Sequence, residues 1–365
     1  MAAIGPGVSA RQSLQHIGLG LAIILGLSAP AGAGQDIGDA QHVVTPKIMA
    51  ERAYRVRTAV REAVREAFDP GGQFLTVTTA TYGGDSMSTA DVADPVLSDV
   101  VDPASLRWNL WASASYTDLD DSHPVSSYEG LTFSAVFGID YRITERVLIG
   151  VLGNVNRSEI DTSFFVLTGR SESDQVAIGA YIGVVLADFL VADLAYLYNW
   201  GDNVLADSTD SASFDSDGWS LTGNLTGYWF TGDWRWSPSI GIALSENRDD
   251  AYVDVPGGFV VPSQKQTTGV FNFGAQAGRT VSFGDMSSAE FWAGLQGEWT
   301  FEQDSGTAVI PTAPVRDDDF DLRLSGGVDV SVNPNFSISL SGDVAGLAIS
   351  DYLTIGASAR ASVLF

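Results

Sequence analysis

From Leu106 to the C-terminus, apolar and polar residues alternate, and the alternation breaks and restarts at short intervals. In the last stretch Phe365, Val363, Ala361, Ala359, Ala357, Ile355 and Leu353 share one face, while Ser362, Arg360, Ser358 and Thr354 share the other. A period of two is that of a strand whose two faces meet different surroundings. Residues 320–332 set Phe320, Leu322, Leu324, Val328, Val330 and Val332 against Asp321, Arg323, Ser325, Asp329 and Ser331. Residues 289–302 set Phe291, Leu295, Trp299 and Phe301 against Glu290, Gln296, Glu298, Thr300 and Glu302. Residues 234–245 set Trp234, Trp236, Ile240, Ile242 and Leu244 against Arg235, Ser237, Ser239 and Ser245.

The pattern predicts twelve strands, at 106–117, 129–143, 146–157, 173–186, 189–200, 216–230, 234–247, 266–283, 289–302, 318–332, 335–347 and 351–365. Each supplies the ~9–11 residues that a tilted strand needs to cross a bilayer. Tight turns at 144–145, 187–188, 231–233, 284–288 and 333–334 alternate with long acidic loops at 118–128, 158–172, 201–215, 248–265 and 303–317; the connection at 348–350 is a short exception. Trp108, Tyr116, Tyr141, Trp200, Trp219, Trp229, Trp234 and Trp299 fall near strand ends, where a membrane-interface belt would place them. A soluble sandwich also alternates, but its strands run nearer 5–6 residues. The expected fold is therefore a twelve-stranded antiparallel transmembrane β-barrel, closed because an open edge in lipid leaves backbone groups unpaired.

Before the strands the period is 3.6. Thr45 can cap and Pro46 suits a first turn, so a helix is expected over Pro46–Phe68, stopped by Asp69-Pro70-Gly71-Gly72. Val56, Val60, Ala63, Val64 and Ala67 repeat at helical spacing, with Arg57, Arg61 and Arg65 stacked beside them. Residues 47–68 hold six basic residues (Lys47, Arg52, Arg55, Arg57, Arg61, Arg65) against three acidic (Glu51, Glu62, Glu66). Residues 83–105 lack any period and read as a linker. Ile17–Leu27 is an apolar run too short to span a bilayer, followed by small residues at Ala31 and Ala33, which predicts a signal peptide cleaved after Ala33. The expected organisation is a signal peptide at 1–33, an N-terminal segment with helix and linker at 34–105, and the barrel at 106–365.

Composition narrows the chemistry. The chain has 365 residues, with 45 acidic against 19 basic, and a formal net charge of -26, which excludes a phosphate-backbone partner such as nucleic acid. Without Cys there is no disulfide framework and no thiolate site. Beyond the signal peptide only His42 and His123 occur, so no multi-histidine metal centre is expected. His123 sits in the Asp-Leu-Asp-Asp-Ser-His-Pro loop beside Asp120, Asp121 and Ser122, an adjacency that is not triad geometry. The acidic clusters Asp118/Asp120/Asp121, Asp249/Asp250 and Asp317/Asp318/Asp319 lack a cation-loop spacing and read as solvated surface. No catalytic residue, metal or cofactor is expected.

Residues 138–144 (Gly-Ile-Asp-Tyr-Arg-Ile-Thr), followed by a Leu-Ile-Gly strand, resemble the early hairpin of the autotransporter β-domain. Residues 228–252, with a Gly-Asp-Trp turn and Pro238 in the return strand, resemble its middle. The terminal Phe365, with Val363 and Ala361 at alternate positions before it, resembles the signal read by barrel-assembly machinery. The resemblance covers about residues 106–365. It implies a bacterial outer-membrane translocator whose pore holds an α-helix leading to an N-terminal passenger, with outer-membrane lipid, lipopolysaccharide and the assembly machinery as partners. The natural candidate for that helix is Pro46–Phe68. The alternate faces supply Asp140, Asp193, Glu290, Glu298, Glu302, Asp321, Asp329 and Asp343, an acidic lumen that could answer Arg52, Arg55, Arg57, Arg61 and Arg65. The competing placement is a periplasmic or membrane-surface amphipathic helix. Two departures from the family stand out. Only some 70 residues lie between the expected cleavage site and the barrel, and 47–68 contains no Asn, the residue that cyclises in self-cleaving members. The expected function is a translocator pore that places an N-terminal segment, with a reduced or absent passenger. The alternative is a permanently plugged structural or adhesive surface protein, and a surface hydrolase is a distant third.

Overall fold

The computed structural model describes residues 33–68, 107–123, 126–164, 167–207, 210–253, 255, 258, 260–283, 287–304 and 319–365. The expected helix stop at 69–72, the linker at 83–105, residues 1–32 of the expected signal peptide, residues 284–286 of the expected turn, and residues 305–317 of the expected loop together with Asp318 lie outside them.

Twelve long antiparallel strands form one closed sheet. They are β1 (Trp108–Asp121), β2 (Ser126–Thr144), β3 (Val147–Phe164), β4 (Leu167–Ala187), β5 (Leu190–Asp207) and β6 (Ser211–Gly227), then β7 (Trp234–Asp249), β8 (Gln264–Ser282), β9 (Ser288–Asp304), β10 (Phe320–Asn333), β11 (Phe336–Ala345) and β12 (Tyr352–Leu364). Each pairs with its sequence neighbours, and β1 pairs with β12 from Asn109↔Leu364 to Asp121↔Tyr352, so no edge remains at membrane depth. Phe365 completes the seam: its N–H donates to the Trp108 carbonyl and its carbonyl accepts from the Trp108 N–H, both at 2.9 Å. A three-residue strand, Trp229–Thr231, extends the hairpin into β7, and Gly232 takes the left-handed conformation that its turn requires. The β6–β7 ladder stops at Thr226↔Ser239, one pair before Pro238, which has no N–H to give.

The alternation sorts residues as lipid demands. Leu110, Tyr116, Ile149, Ile178, Trp236, Phe291 and Val363 point outward and are exposed on the bare chain. An exposed apolar band of this extent is covered by acyl chains in a membrane. The inward alternates are buried. Trp111 and Tyr181 lie over Gly138 and Gly150 of neighbouring strands, where a Cβ would fall 2.5 Å and 2.3 Å from the rings, so glycine is what admits the rings to the wall.

Two expectations are corrected. The connections expected at 118–128, 158–172 and 201–215 are largely strand, and β1 to β6 continue past their apolar stretches to leave only 122–125, 165–166 and 208–210 between them. Above the membrane both faces of a strand meet water, so alternation ends while the hydrogen-bonded ladder continues. The helix, α1, runs from Ala33 to Phe68, 36 residues, with Pro46 inside it rather than at its first turn. Proline removes one intrahelical hydrogen bond, and the surrounding barrel supplies the packing that a free helix would lack.

Candidate functional site

The described side chains of α1, from Val44 to Phe68, include none that is exposed. Amphipathic surface helices keep a wet face; this one is enclosed all round because it threads the barrel. Its direction follows from its ends. Val44 and Ile48 pack with Leu119, Tyr128 and Ile160 at the long-loop rim, and Lys47 Nζ lies 5.1 Å from the Tyr352 ring centroid. At the other end the Ala67 carbonyl accepts from Arg142 Nη1 at 3.1 Å, beside the tight turn after β2. The helix therefore enters at the long-loop rim and ends at the tight-turn rim, where β1 begins.

One side of α1 is apolar. Val56, Ala59, Val60, Ala63, Val64 and Ala67 bury against Trp111, Val136, Leu148, Leu152, Tyr181 and Leu197, which project inward from β1 to β5. Val64 fills the space over Gly183, where a Cβ would fall 2.7 Å from its Cγ1. The opposite side is charged. Arg55 pairs with Asp343 and Glu51, each at 2.6 Å, and donates to Thr117 Oγ1 at 3.0 Å. Arg65 pairs with Asp329 at 2.7 Å and Glu62 at 2.8 Å. Arg57 lies 3.8 Å from Glu298, and the nearest carboxylate of Arg61 is its neighbour Glu62, at 3.7 Å.

The sequence reading missed that the pairing runs in both directions. Arg323 of β10 pairs with Glu51 of the helix at 2.7 Å, Glu298 at 3.2 Å and Asp343 at 2.5 Å, and its guanidinium sits 3.9 Å over the Tyr54 ring. Arg360 of β12 pairs with Glu66 at 2.8 Å and donates to the Ala59 carbonyl at 3.1 Å. Buried charge of either sign needs a partner, so the inward register positions of Arg323 and Arg360 were the available clue.

Other acidic candidates meet no helix arginine. Asp140 accepts from the Tyr181 hydroxyl at 2.6 Å and Asn109 Nδ2 at 3.2 Å. Asp193 accepts from Asn224 Nδ2 at 2.7 Å. Glu290 is bound by Arg235 of the wall. Asp321 accepts from the Gly346 N–H at 2.8 Å and so holds the short connection between β11 and β12 at the long-loop rim. Glu302 lies past a register shift at Gly269/Val270 and is exposed, because the extra residue turns the outer end of β9. Arg52 meets neutral partners, Gln175 and Ser158 of the β3–β4 wall. The His123 N–H donates to Asp121 Oδ1 at 2.9 Å, and among the described residues no three His, Cys, Asp or Glu are grouped to hold a metal ion. An open mouth of about 620 Å³ lies at the long-loop rim beside Asp120, Glu129, Asp161 and Asp207.

Residues 110–343 match the sequence model of the autotransporter beta-domain. Among solved structures, the translocator domain of the autotransporter NalP from Neisseria meningitidis is 13% identical, with 75% of this chain and 92% of that one covered at a TM-score of 0.55. The beta domain of the Bordetella autotransporter Brka is 14% identical, with 71% and 100% covered at 0.58. The transport unit of the autotransporter AIDA-I from Escherichia coli is 10% identical, with 85% and 98% covered at 0.55. At these identities the structures speak to the fold. No curated protein matches the chain in sequence.

Proposed function

The chain belongs to the autotransporter beta-domain family of bacterial outer-membrane barrels, and on that premise we propose that it carries its own N-terminal segment to the cell surface and is then left plugged by α1. The observation that supports this is the direction of the helix, which enters at the long-loop rim and ends at the rim where β1 starts. Short turns face the periplasm and long loops the exterior in outer-membrane barrels, so the N-terminal end of α1 is the exported end. With cleavage after Ala33, the exported portion is the outer end of the helix itself, since α1 begins at that residue. The plugged state is supported by the four-way charge network that Arg323 and Asp343 make with Glu51 and Arg55. Breaking such a network exposes several buried charges at once, so the helix has no low-cost route back out of the pore.

A second use of the same molecule, as a surface or adhesive protein, is favoured by the tall polar wall that β2 to β6 raise beyond their apolar stretches. Its working part would be that wall and the mouth it encloses, in contact with lipopolysaccharide.

An epitope inserted at residue 38 and another at residue 90 separate these ends. On intact cells the first is expected to bind antibody and the second to bind only after the outer membrane is opened. Protection of the residue 38 epitope on intact cells would overturn the export reading.

A further inference from the structure

We propose that the side of the lumen facing β8 to β12 is a hydrated passage for water and small monovalent ions, narrowed at one level by Tyr54. This requires only that the barrel stands in a membrane with α1 in place, and not that anything is exported.

Among the described residues, three cavities border this side. One of about 60 Å³, near the tight-turn rim, is bounded by Arg65, Glu66, Glu290, Asp329 and Ser337. One of about 50 Å³, at mid-depth, is bounded by Arg55, Thr58, Arg61, Ser325, Ser341 and Ser358. One of about 50 Å³, toward the long-loop rim, is bounded by Lys47, Glu51, Thr268, Glu298 and Thr300. Each has room for a few water molecules. The first and second share Asp329 and Ser339 as walls, and the second and third share Tyr54. The three thus follow one another along the length of the helix.

Side-chain size explains why they lie here. Most of the β1–β5 wall reaches the helix with Trp, Tyr and Leu, whereas β10 to β12 present Ser325, Ser339, Ser341, Gly342 and Ser358, joined at the seam by Ser113 and Ser115 of β1, which are too short to close the gap. One buried polar group also bears on the outer cavity. Gln266, Thr268 and Asn272, inward-facing on β8, are buried with side-chain polar atoms that meet no partner among the described residues, and Thr268 lines the outer cavity. Asn156, Thr222 and Thr226 of the opposite wall are in the same position, but of these residues Thr268 is the one that borders a cavity, and buried polar atoms are satisfied by protein or by water, so water must reach it there.

Tyr54 is the constriction. Its ring lies under Arg323 at 3.9 Å, with the guanidinium carbons of Arg55 and Arg57 at 5.0 Å and 5.4 Å, so three cations hold it across the gap between the middle and outer cavities. The lining carries guanidinium and carboxylate groups together, which lets monovalent ions of either sign exchange water for fixed charge. The volumes exclude solutes as large as a sugar.

The test is single-channel conductance of the full mature chain in planar bilayers, beside sugar-driven swelling of proteoliposomes. Wild type is expected to show a small residual conductance and no sugar entry. Tyr54→Ala is expected to raise the conductance at least threefold with sugar still excluded, whereas Tyr54→Phe keeps the wild-type value. Leu152→Ala, on the apolar side, is expected to leave conductance unchanged. Ser341→Leu, which fills the middle cavity, is expected to abolish the residual conductance, and it carries the test should Tyr54→Ala fail to fold. Conductance of Tyr54→Ala at the wild-type level, an equal rise in Leu152→Ala, or sugar entry through Tyr54→Ala would overturn the proposal. The last outcome would mean that the helix had left the pore. The epitope experiment above does not depend on any of these readings, so failure here leaves the export reading to its own test.

Discussion

Toward β1–β5, α1 presents Val56, Val60, Ala63 and Val64 to Trp111, Leu148 and Leu152; toward β9–β12 it presents Glu51, Arg55, Arg65 and Glu66 to Arg323, Asp343, Asp329 and Arg360. The first contact is close-packed, with Val64 seated over Gly183, so a small shift along the helix axis costs packing but strands no charge. The second is specific, since an ion pair displaced by one turn leaves two buried charges without partners. The apolar half therefore seals and the charged half sets the depth and rotation of the helix. A helix with both halves apolar would slide, and one with both halves charged would leak.

The largest expected effect comes from the charged half. Arg323→Ala leaves Glu51, Glu298 and Asp343 short of a cation and is expected to cost roughly 3–5 kcal/mol, read as the urea midpoint of the barrel in detergent. Replacing Glu51 and Arg323 together by leucine should recover most of that loss, because no helix carboxylate is then stranded. An Arg323→Ala barrel as stable as wild type would break the comparison. On the apolar half, Val64→Ala removes two buried methyl groups over Gly183 and is expected to cost about 2 kcal/mol, the transfer cost plus a small cavity. A loss as large as that of Arg323→Ala would mean that sealing, not pairing, fixes the helix. Asp140 sharpens the division, since it belongs to the lumen but its bonds are to Tyr181 and Asn109. Asp140→Asn keeps the shape and some of the hydrogen bonding, and is expected to cost about 1 kcal/mol in the same measurement. The smallest effect belongs outside the lumen altogether. Arg157 and Glu159 pair at 3.0 Å on the water-exposed extension of β3, and their joint replacement by alanine is expected to leave the urea midpoint unchanged.

The alternation made all twelve strands legible, from Trp108 to Leu364, and Phe365 at the end of its period-two run lies at the seam with Trp108. The helix was legible by its 3.6 period but not its beginning, because Pro46 reads as a first turn wherever the sequence is considered without its surroundings. In the lumen, the helix arginines were visible as a basic cluster. Their partners were not, and Arg52 went to Gln175 while Arg323 and Arg360 reversed the expected polarity. Asp140, Asp193 and Asp321 carry the right charge on the right strands and still bind neutral neighbours or a backbone N–H.

What the sequence determined by itself was the sorting of strands into lipid-facing and lumen-facing positions, together with their number and the tight turns between them. Lipid tolerates no unpaired backbone and rewards apolar side chains on one face only, so that constraint is written locally in every strand. The tertiary structure alone decided where strands end above the membrane, which side of the helix each wall meets, and which charges pair. Above the membrane water surrounds both faces and the alternation carries no information. Inside the barrel, partners separated by nearly 300 residues meet through the rotation and depth of the helix, as Arg55 and Asp343 do. Those two quantities belong to the closed barrel and to no single segment of it.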